Sequence, residues 1–311
     1  MAILPSERHR FDIPDDVSYL NCAYMSPLSK ETVAIGQEAL ARKAQPWTVH
    51  AADFFSLTDR SRAAFAALLG APASPDDVAL VPAASYGMAV AARNLPLSAG
   101  ERVLVLEGGF PSTVLTWREA ARAAGASLVR LPRPEDDDWT RTVLDAIDER
   151  TAVAALPALH WLDGATLDLV AIGARLREVG AALVLDLTQS LGAMPFDLGL
   201  VRPDFLVVAG YKWLLCPYTV SFLYVAPHRQ EGEPLEHHWF GRAGSENFSA
   251  LIDYREDFQP GARRFDAGEP ADFALLPAAI AGLELLTSLG IGNIADTAGA
   301  LADRVIAHGE T

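Results

Sequence analysis

Two neighbouring stretches decide how this chain is read: VLDLTQSLGAMPFDL at residues 184–198 and FLVVAGYKWLLCPYTVSFLYV at residues 205–225. In the first, an apolar run beginning at residue 182 stops at Asp186, and the polar side chains of Thr188 and Gln189 follow. In the second, FLVVA runs into Gly210, Tyr211 and Lys212, and another apolar run occupies 220–225. Short continuous apolar runs between turn residues are the pattern of strands buried on both faces of a sheet. The connection between the last two runs is too short for a crossover helix, so one of them is expected to run antiparallel.

The same alternation extends outward on both sides. Strands are expected at 78–81, 102–106, 127–131, 151–156, 182–186, 204–209 and 220–225. Helices are expected between them at 86–94, 112–124, 140–149 and 168–179. This pattern predicts an α/β fold: a mostly parallel central sheet with helices on both faces. Further helices are expected at 29–43, 51–69, 277–289 and 294–308, with a polar, loop-rich region at 227–270. The expected organisation is an N-terminal segment (1–28), a large domain (29–270) and the start of a small, incomplete C-terminal domain (271–311). The last two helices carry apolar stripes, Leu276, Ile280, Leu283, Leu286 and then Ile294, Ala298, Leu301, Val305, which are expected to lie uncovered.

Half of the 311 residues are hydrophobic and the net charge is −15. That balance fits an ordinary globular protein and argues against a nucleic-acid or acidic membrane surface, both of which need a basic footprint. No apolar run reaches the roughly 18 residues of a membrane span, and the N-terminus lacks an apolar signal core, so a cytoplasmic location is the default expectation. Cys22 and Cys216 form no disulfide framework. His237 and His238 have no third ligand at useful spacing, so no metal site is expected. The lysine inventory is sharper: Lys30, Lys43 and Lys212 are the only three. The first two fall on an early polar helix, whereas Lys212 sits between Tyr211 and Trp213 at the end of an apolar run, where a lysine is costly unless its amine is used.

Ligands of open parallel sheets bind beyond the carboxyl ends of the strands. Asp186 and Lys212 each follow such an end. So do the ASYG segment with Ser85 and Tyr86, the GGF segment with Phe110, and His160. A helix start such as 84–87 offers free N–H groups that suit a phosphate, although a capping role explains Ser85 equally well. Phe110 also reads as core, and His160 as a satisfied interior histidine. An amine, a carboxylate, a phosphate cradle and an aromatic at one edge are the parts that pyridoxal 5′-phosphate chemistry requires.

The two opening stretches resemble class V aminotransferases, a family that includes cysteine desulfurases, kynureninase and isopenicillin-N epimerase. YLNCAYMSPLS (19–29), EGGFPSTVLTW (107–117), LHWLDGATLDLVAIG (159–173) and RRFDAGEP (263–270) resemble further stretches of the same family. The resemblance implies the type I fold of pyridoxal-phosphate enzymes and a homodimer acting on a small amino acid or amine. It implies that Lys212 is the Schiff-base lysine, that Asp186 partners the pyridine nitrogen and that Gln189 bonds the phenolic oxygen. Phe110 would stack on the ring and His160 lie beside it, while Ser85, Tyr86 and the phenol of Tyr211 would contact the phosphate. Arg263 or Arg264 would approach the cofactor region. Tyr211 stands where many relatives have His, Ala209 where some have Ser, and Glu269 where Thr is frequent. Family members usually continue beyond the point where this sequence stops. Transamination is the first reading. A lyase, desulfurase or epimerase of the same family, or an inactive truncated relative, is the alternative.

Overall fold

A computed structural model of the protein describes residues 3–309. Seven strands form one sheet: β1 (Val78–Val81), β2 (Arg102–Leu106), β3 (Ser127–Leu131), β4 (Thr151–Pro157), β5 (Ala182–Asp186), β6 (Phe205–Ala209) and β7 (Ser221–Val225). Their spatial order is β1-β7-β6-β5-β4-β2-β3. β7 runs antiparallel to both β1 and β6, and the remaining pairs are parallel. The short 205–225 connection therefore does what its length dictated: the chain leaves β6 and returns at once beside it as β7.

The sheet is apolar on both faces because the strands alternate two apolar sets. Leu80, Leu104, Leu156, Leu185, Leu206 and Phe222 belong to one core cluster, and Val81, Val103, Val153, Val184, Val207 and Leu223 to the other. The second face is covered by α3 (Ala84–Asn94) and α4 (Pro111–Ala124). The first is covered by α2 (Ala51–Leu69), α5 (Trp139–Ala146), α6 (Leu169–Glu178) and α8 (Leu275–Leu289). Helix α1 (Lys30–Arg42) packs on α8, and its N-cap Ser29 accepts from Thr32 N–H at 3.0 Å. A four-residue helix, α7 (Leu198–Val201), precedes β6.

Two helix boundaries depart from expectation for identifiable reasons. α5 ends at Ala146 because Asp148 engages its own turn, accepting from Arg150 N–H and pairing with Arg102. Such local side-chain bonds compete with helix continuation. α3 begins two residues early, so Ser85 lies in its first turn and the N-cap is Ala83, which has no side-chain cap. α3 also lies very close to the sheet at Gly87, where an added Cβ would meet Val207 Cγ2 at 2.6 Å. A glycine here lets the helix N-terminus approach the strand ends.

α8 follows the expected boundary at residue 270, yet Leu276, Ala279, Leu283 and Leu286 are buried in the core of the sheet's first face. Helix α9 (Ile291–Gly309) bends away from α8 by 74° and has no buried residue. The uncovered stripe expected on both C-terminal helices is found only on the later part of α9, where Leu301 and Val305 are exposed, whereas Ile294 packs against the core. Among the described residues no single helix is long and apolar enough to cross a membrane.

Arg62 of α2 and Asp266 are fully buried and joined by two hydrogen bonds, at 3.0 and 2.5 Å. Arg62 also donates to Val78 O at 2.5 Å, and Asp266 accepts from Leu80 N–H at 2.8 Å, so one network ties α2, β1 and the 261–270 segment. Removing one member strands the other charge without water. Arg62→Ala is expected to cost roughly 3–5 kcal/mol of stability. Arg62→Met combined with Asp266→Asn, which keeps an acceptor for Leu80, should recover part of that loss. Urea unfolding of both variants is the measurement, and a double variant no more stable than the single one would count against this account.

Candidate functional site

The carboxyl ends of β2, β4, β5 and β6 open onto a cleft of about 420 Å³, a size ordinary for a small-molecule site. Its walls include Ser85, Phe110, His160, Asp186, Gln189, Tyr211 and Lys212. Seven of the eight residues singled out from sequence thus meet in one place. Tyr86 does not: its phenol donates to Glu236 Oε1 at 2.9 Å and its N–H to Ala83 O at 3.1 Å. Arg263 and Arg264 also lie elsewhere, the first pairing with Asp59 and Asp76, the second with Glu231.

Asp186 ends β5, in register with Val207 of β6. Thr188 N–H donates to its Oδ1 at 3.0 Å, while the Thr188 hydroxyl accepts from Ala209 N–H at 3.0 Å. That hydroxyl locks the end of β5 to the end of β6. Protein surrounds the carboxylate except where the cleft reaches it. Burial pushes its pKa up, against the opposing pull of Thr188, Lys212 and Thr113.

Lys212 follows the turn at Gly210, where an added Cβ would meet Val220 O at 2.6 Å. The loop is pinned by Gly210 N–H to Val220 O and by Cys216 N–H to Gly210 O. Lys212 is 6% exposed, and burial draws its ammonium pKa down while Asp186 pulls the other way. Its Nζ lies 5.5 Å from the centre of the Phe110 ring and 5.8 Å from that of Tyr211. Burial first, then Tyr218 and Asp186, raise the Tyr211 phenol and keep it a proton donor.

Gln189 is held by two bonds: Nε2 donates to Ala23 O and Oε1 accepts from Trp213 Nε1, both at 3.0 Å. One Nε2 proton remains for a ligand. His160 stacks on the buried Trp139 ring at 5.2 Å; its Nε2 lies 3.0 Å from Glu107 O and its Nδ1 3.0 Å from Asp163 Oδ2, the latter poorly aligned for hydrogen bonding. At the start of α3, Tyr86 and Gly87 N–H both reach Ala83 O, whereas the N–H groups of Ala84 and Ser85 have no acceptor within the helix.

The structure adds residues that sequence reasoning passed over. Thr188 was visible only as a polar residue after a strand, and Thr113 only as part of a helix start. Trp161 and Tyr218 carry no local signal, since each gains meaning from where its loop is folded.

These parts fit a pyridoxal phosphate group. Ala84 and Ser85, whose N–H groups have no acceptor within the helix, line the cleft that holds a desolvated carboxylate and a desolvated amine. Known proteins point the same way. The model of the class-V aminotransferase family matches residues 32–308. The chain is similar to an uncharacterized aminotransferase, YcbU, of Bacillus subtilis, at 30% identity over 77% of this chain and 61% of the relative. It is also similar to isopenicillin N epimerase of Streptomyces clavuligerus, at 26% identity over 76% of this chain and 60% of that protein. The chain thus spans about three fifths of the length of these curated relatives. Its fold matches the apo structure of a cysteine desulfurase from Thermococcus onnurineus NA1 with a TM-score of 0.83, at 19% identity over 98% of this chain and 76% of that one. This is the type I fold of pyridoxal-phosphate enzymes. A lysine and an aspartate delivered to one cleft by adjacent strand ends, on that fold and under that family match, place the chain in the class-V aminotransferase family, whose cofactor is pyridoxal 5′-phosphate.

Proposed function

We propose that this chain binds pyridoxal 5′-phosphate through Lys212 and acts as an aminotransferase on a small amino acid or amine. The observation that carries the reading is the shared burial of Lys212 and Asp186 in one cleft, with the amine's pKa drawn down and the carboxyl's pushed up. A lysine must be neutral to attack a carbonyl carbon, and burial favours that form. Asp186 regains a partner when a protonated ring nitrogen faces it. At about 4 Å and an effective dielectric near 20 such a pair is worth roughly 4 kcal/mol before desolvation is subtracted. Phe110 supplies a ring face, Gln189 its free Nε2 proton to the phenolic oxygen, and His160 a fixed side wall. Ala84 and Ser85 N–H, the Ser85 hydroxyl and the Tyr211 phenol would hold the phosphate.

When bound, the cofactor supplies an electron sink for a carbanion at the substrate Cα. As a neutral amine, Lys212 Nζ would move the proton from that carbon to the carbon that carries the cofactor's aldehyde, the shift that amino transfer requires. Asp186 would hold a proton on the ring nitrogen. Cys216 donates to Leu214 O and Ala279 O with its thiol pushed up by burial, and neither cysteine lines the cleft. Amino transfer requires no thiol from the protein.

Borohydride reduction of the protein loaded with pyridoxal phosphate should place the pyridoxyl group on Lys212 when peptides are mapped. Label on Lys30 or Lys43 instead would reject the assignment. Addition of amino acids should convert the cofactor to its amine form, and loss of substrate without that conversion would favour the lyase or epimerase alternative.

Asp186→Asn should lower the single-turnover rate by about two to three orders of magnitude, the scale of one preorganised electrostatic partner. The same change should stabilise the cofactor-free protein at pH 7. The sign follows from the raised folded-state pKa: the native protein holds the proton more tightly than the unfolded chain. The penalty is full above the folded pKa and gone below the unfolded value of about 3.9. Melting temperatures of the two forms should therefore converge as pH falls toward 4; a constant gap would contradict the assignment.

The homodimer is part of the same proposal. Leu20, Tyr24, Tyr218 and Leu162 are exposed, on segments that line the cleft or are bonded to its walls. Covering this rim with a second copy should bury well over roughly 1,000 Å². Sedimentation at micromolar concentration should show a dimer, and a cofactor-loaded monomer would contradict it.

A further inference from the structure

Two rings of the cleft, Trp161 and Tyr218, have no part in the proposed cofactor binding, and each packs on a ring that does. Two aromatic pairs lead outward from the Lys212 amine. In the first, Phe110 meets Trp161 edge to face, with ring centres 5.7 Å apart and planes at 88°. In the second, Tyr211 lies against Tyr218 at 4.6 Å. Exposure rises along each: Lys212 is 6% exposed, Phe110 38%, Trp161 42% and Tyr218 60%. A molecule joined to the amine end of the cleft would run outward along these rings, toward the rim that the proposed second copy covers.

Trp161 is held in place and does not swing freely. Its indole Nε1–H donates to Gly108 O at 2.7 Å. Its loop is closed by His160 N–H to Ala165 O and Gly164 N–H to His160 O, both 2.8 Å, and His160 is stacked on the buried Trp139. The 107–110 turn interlocks with this loop: Gly108 has φ +68°, and an added Cβ there would touch Leu162 Cδ1 at 3.4 Å and His160 Nε2 at 3.5 Å. A wall built this way is preorganised, so a ring that packs on it does not have to order the loop first.

The charges of the cleft narrow the choice. Among the described residues its lining holds no guanidinium and no lysine other than Lys212, while Asp186 supplies a carboxylate. Within one copy of the chain an anionic side group would meet no cation along the outer walls. A cationic one would meet ring faces, but would leave water without a carboxylate there to replace it.

We infer that the outer cleft selects amino donors with an uncharged aromatic side group, and that Trp161 is a specificity-determining residue. This rests on the proposed role of Lys212 and the cofactor.

The test compares phenylalanine, alanine, glutamate and lysine as donors to the full chain loaded with pyridoxal phosphate, following conversion of the cofactor to its amine form. Phenylalanine is expected to give the highest kcat/KM. In Trp161→Ala the phenylalanine-to-alanine ratio should fall by roughly tenfold or more, the scale of one lost ring contact and its buried area. Trp161→Phe should restore most of the ratio, and bound cofactor should stay stoichiometric in both variants. A ratio unchanged in Trp161→Ala, or a clear preference for glutamate or lysine, would overturn the inference and leave the cofactor reading intact. Failure of the unaltered chain to take up pyridoxal phosphate would instead reject the cofactor reading, and this inference with it.

Discussion

Parallel neighbours in a sheet finish at the same edge, and β5 and β6 pair so that Asp186 lies opposite Val207. Everything at the site follows from that register. β5 stops at Asp186, β6 continues to Ala209, and Thr188 ties the two ends together through one N–H and one hydroxyl. A slip of one residue would turn Asp186 to the other face of the sheet. Beyond β6 the chain turns at a glycine with no room for a side chain, presents Lys212, and is pulled back as β7 against the same strand. The lysine loop is anchored at both ends by the antiparallel return that its short length required.

Two inward-facing aspartates in this molecule are treated in opposite ways. Asp266 is fully buried and fully partnered, by the Arg62 guanidinium on both oxygens and by Leu80 N–H. Asp186 has Thr188 and Thr113 beside it and no guanidinium, and its open side faces the cleft. A buried charge left incompletely matched is costly, and such groups cluster at functional sites. The contrast separates a carboxylate that holds the fold together from one whose open side faces the cleft, as its proposed role requires.

The aromatic residues show the same division. Phe65 and Phe222 stack at 4.5 Å deep in the sheet's first face, where their role is packing. Phe110, Trp161, Tyr211 and Tyr218 pair at comparable distances but line a cleft, so their free faces are available to a ligand. Ring contact alone does not distinguish the two; the side left open does.

What the amino-acid sequence determined by itself was local. Apolar runs set the strands, because burial on both faces demands continuous hydrophobicity; the strand-end rule then drew attention to Asp186, Phe110, His160 and Lys212, and the family resemblance implied their roles and that of Gln189. These residues act close to where the backbone emerges from its strand, so their positions could be read from spacing. Contacts between distant segments could not. Tyr86 is turned from the cleft by Glu236, 150 residues away in sequence. Arg263 is held by Asp59 and Asp76, and α8 is buried by a core whose other members lie throughout the chain. Trp161 became a wall of the site only when its loop locked against the 107–110 turn. Side-chain direction depends on which surfaces the folded chain brings together, and periodicity along one segment carries no information about the segment it will meet.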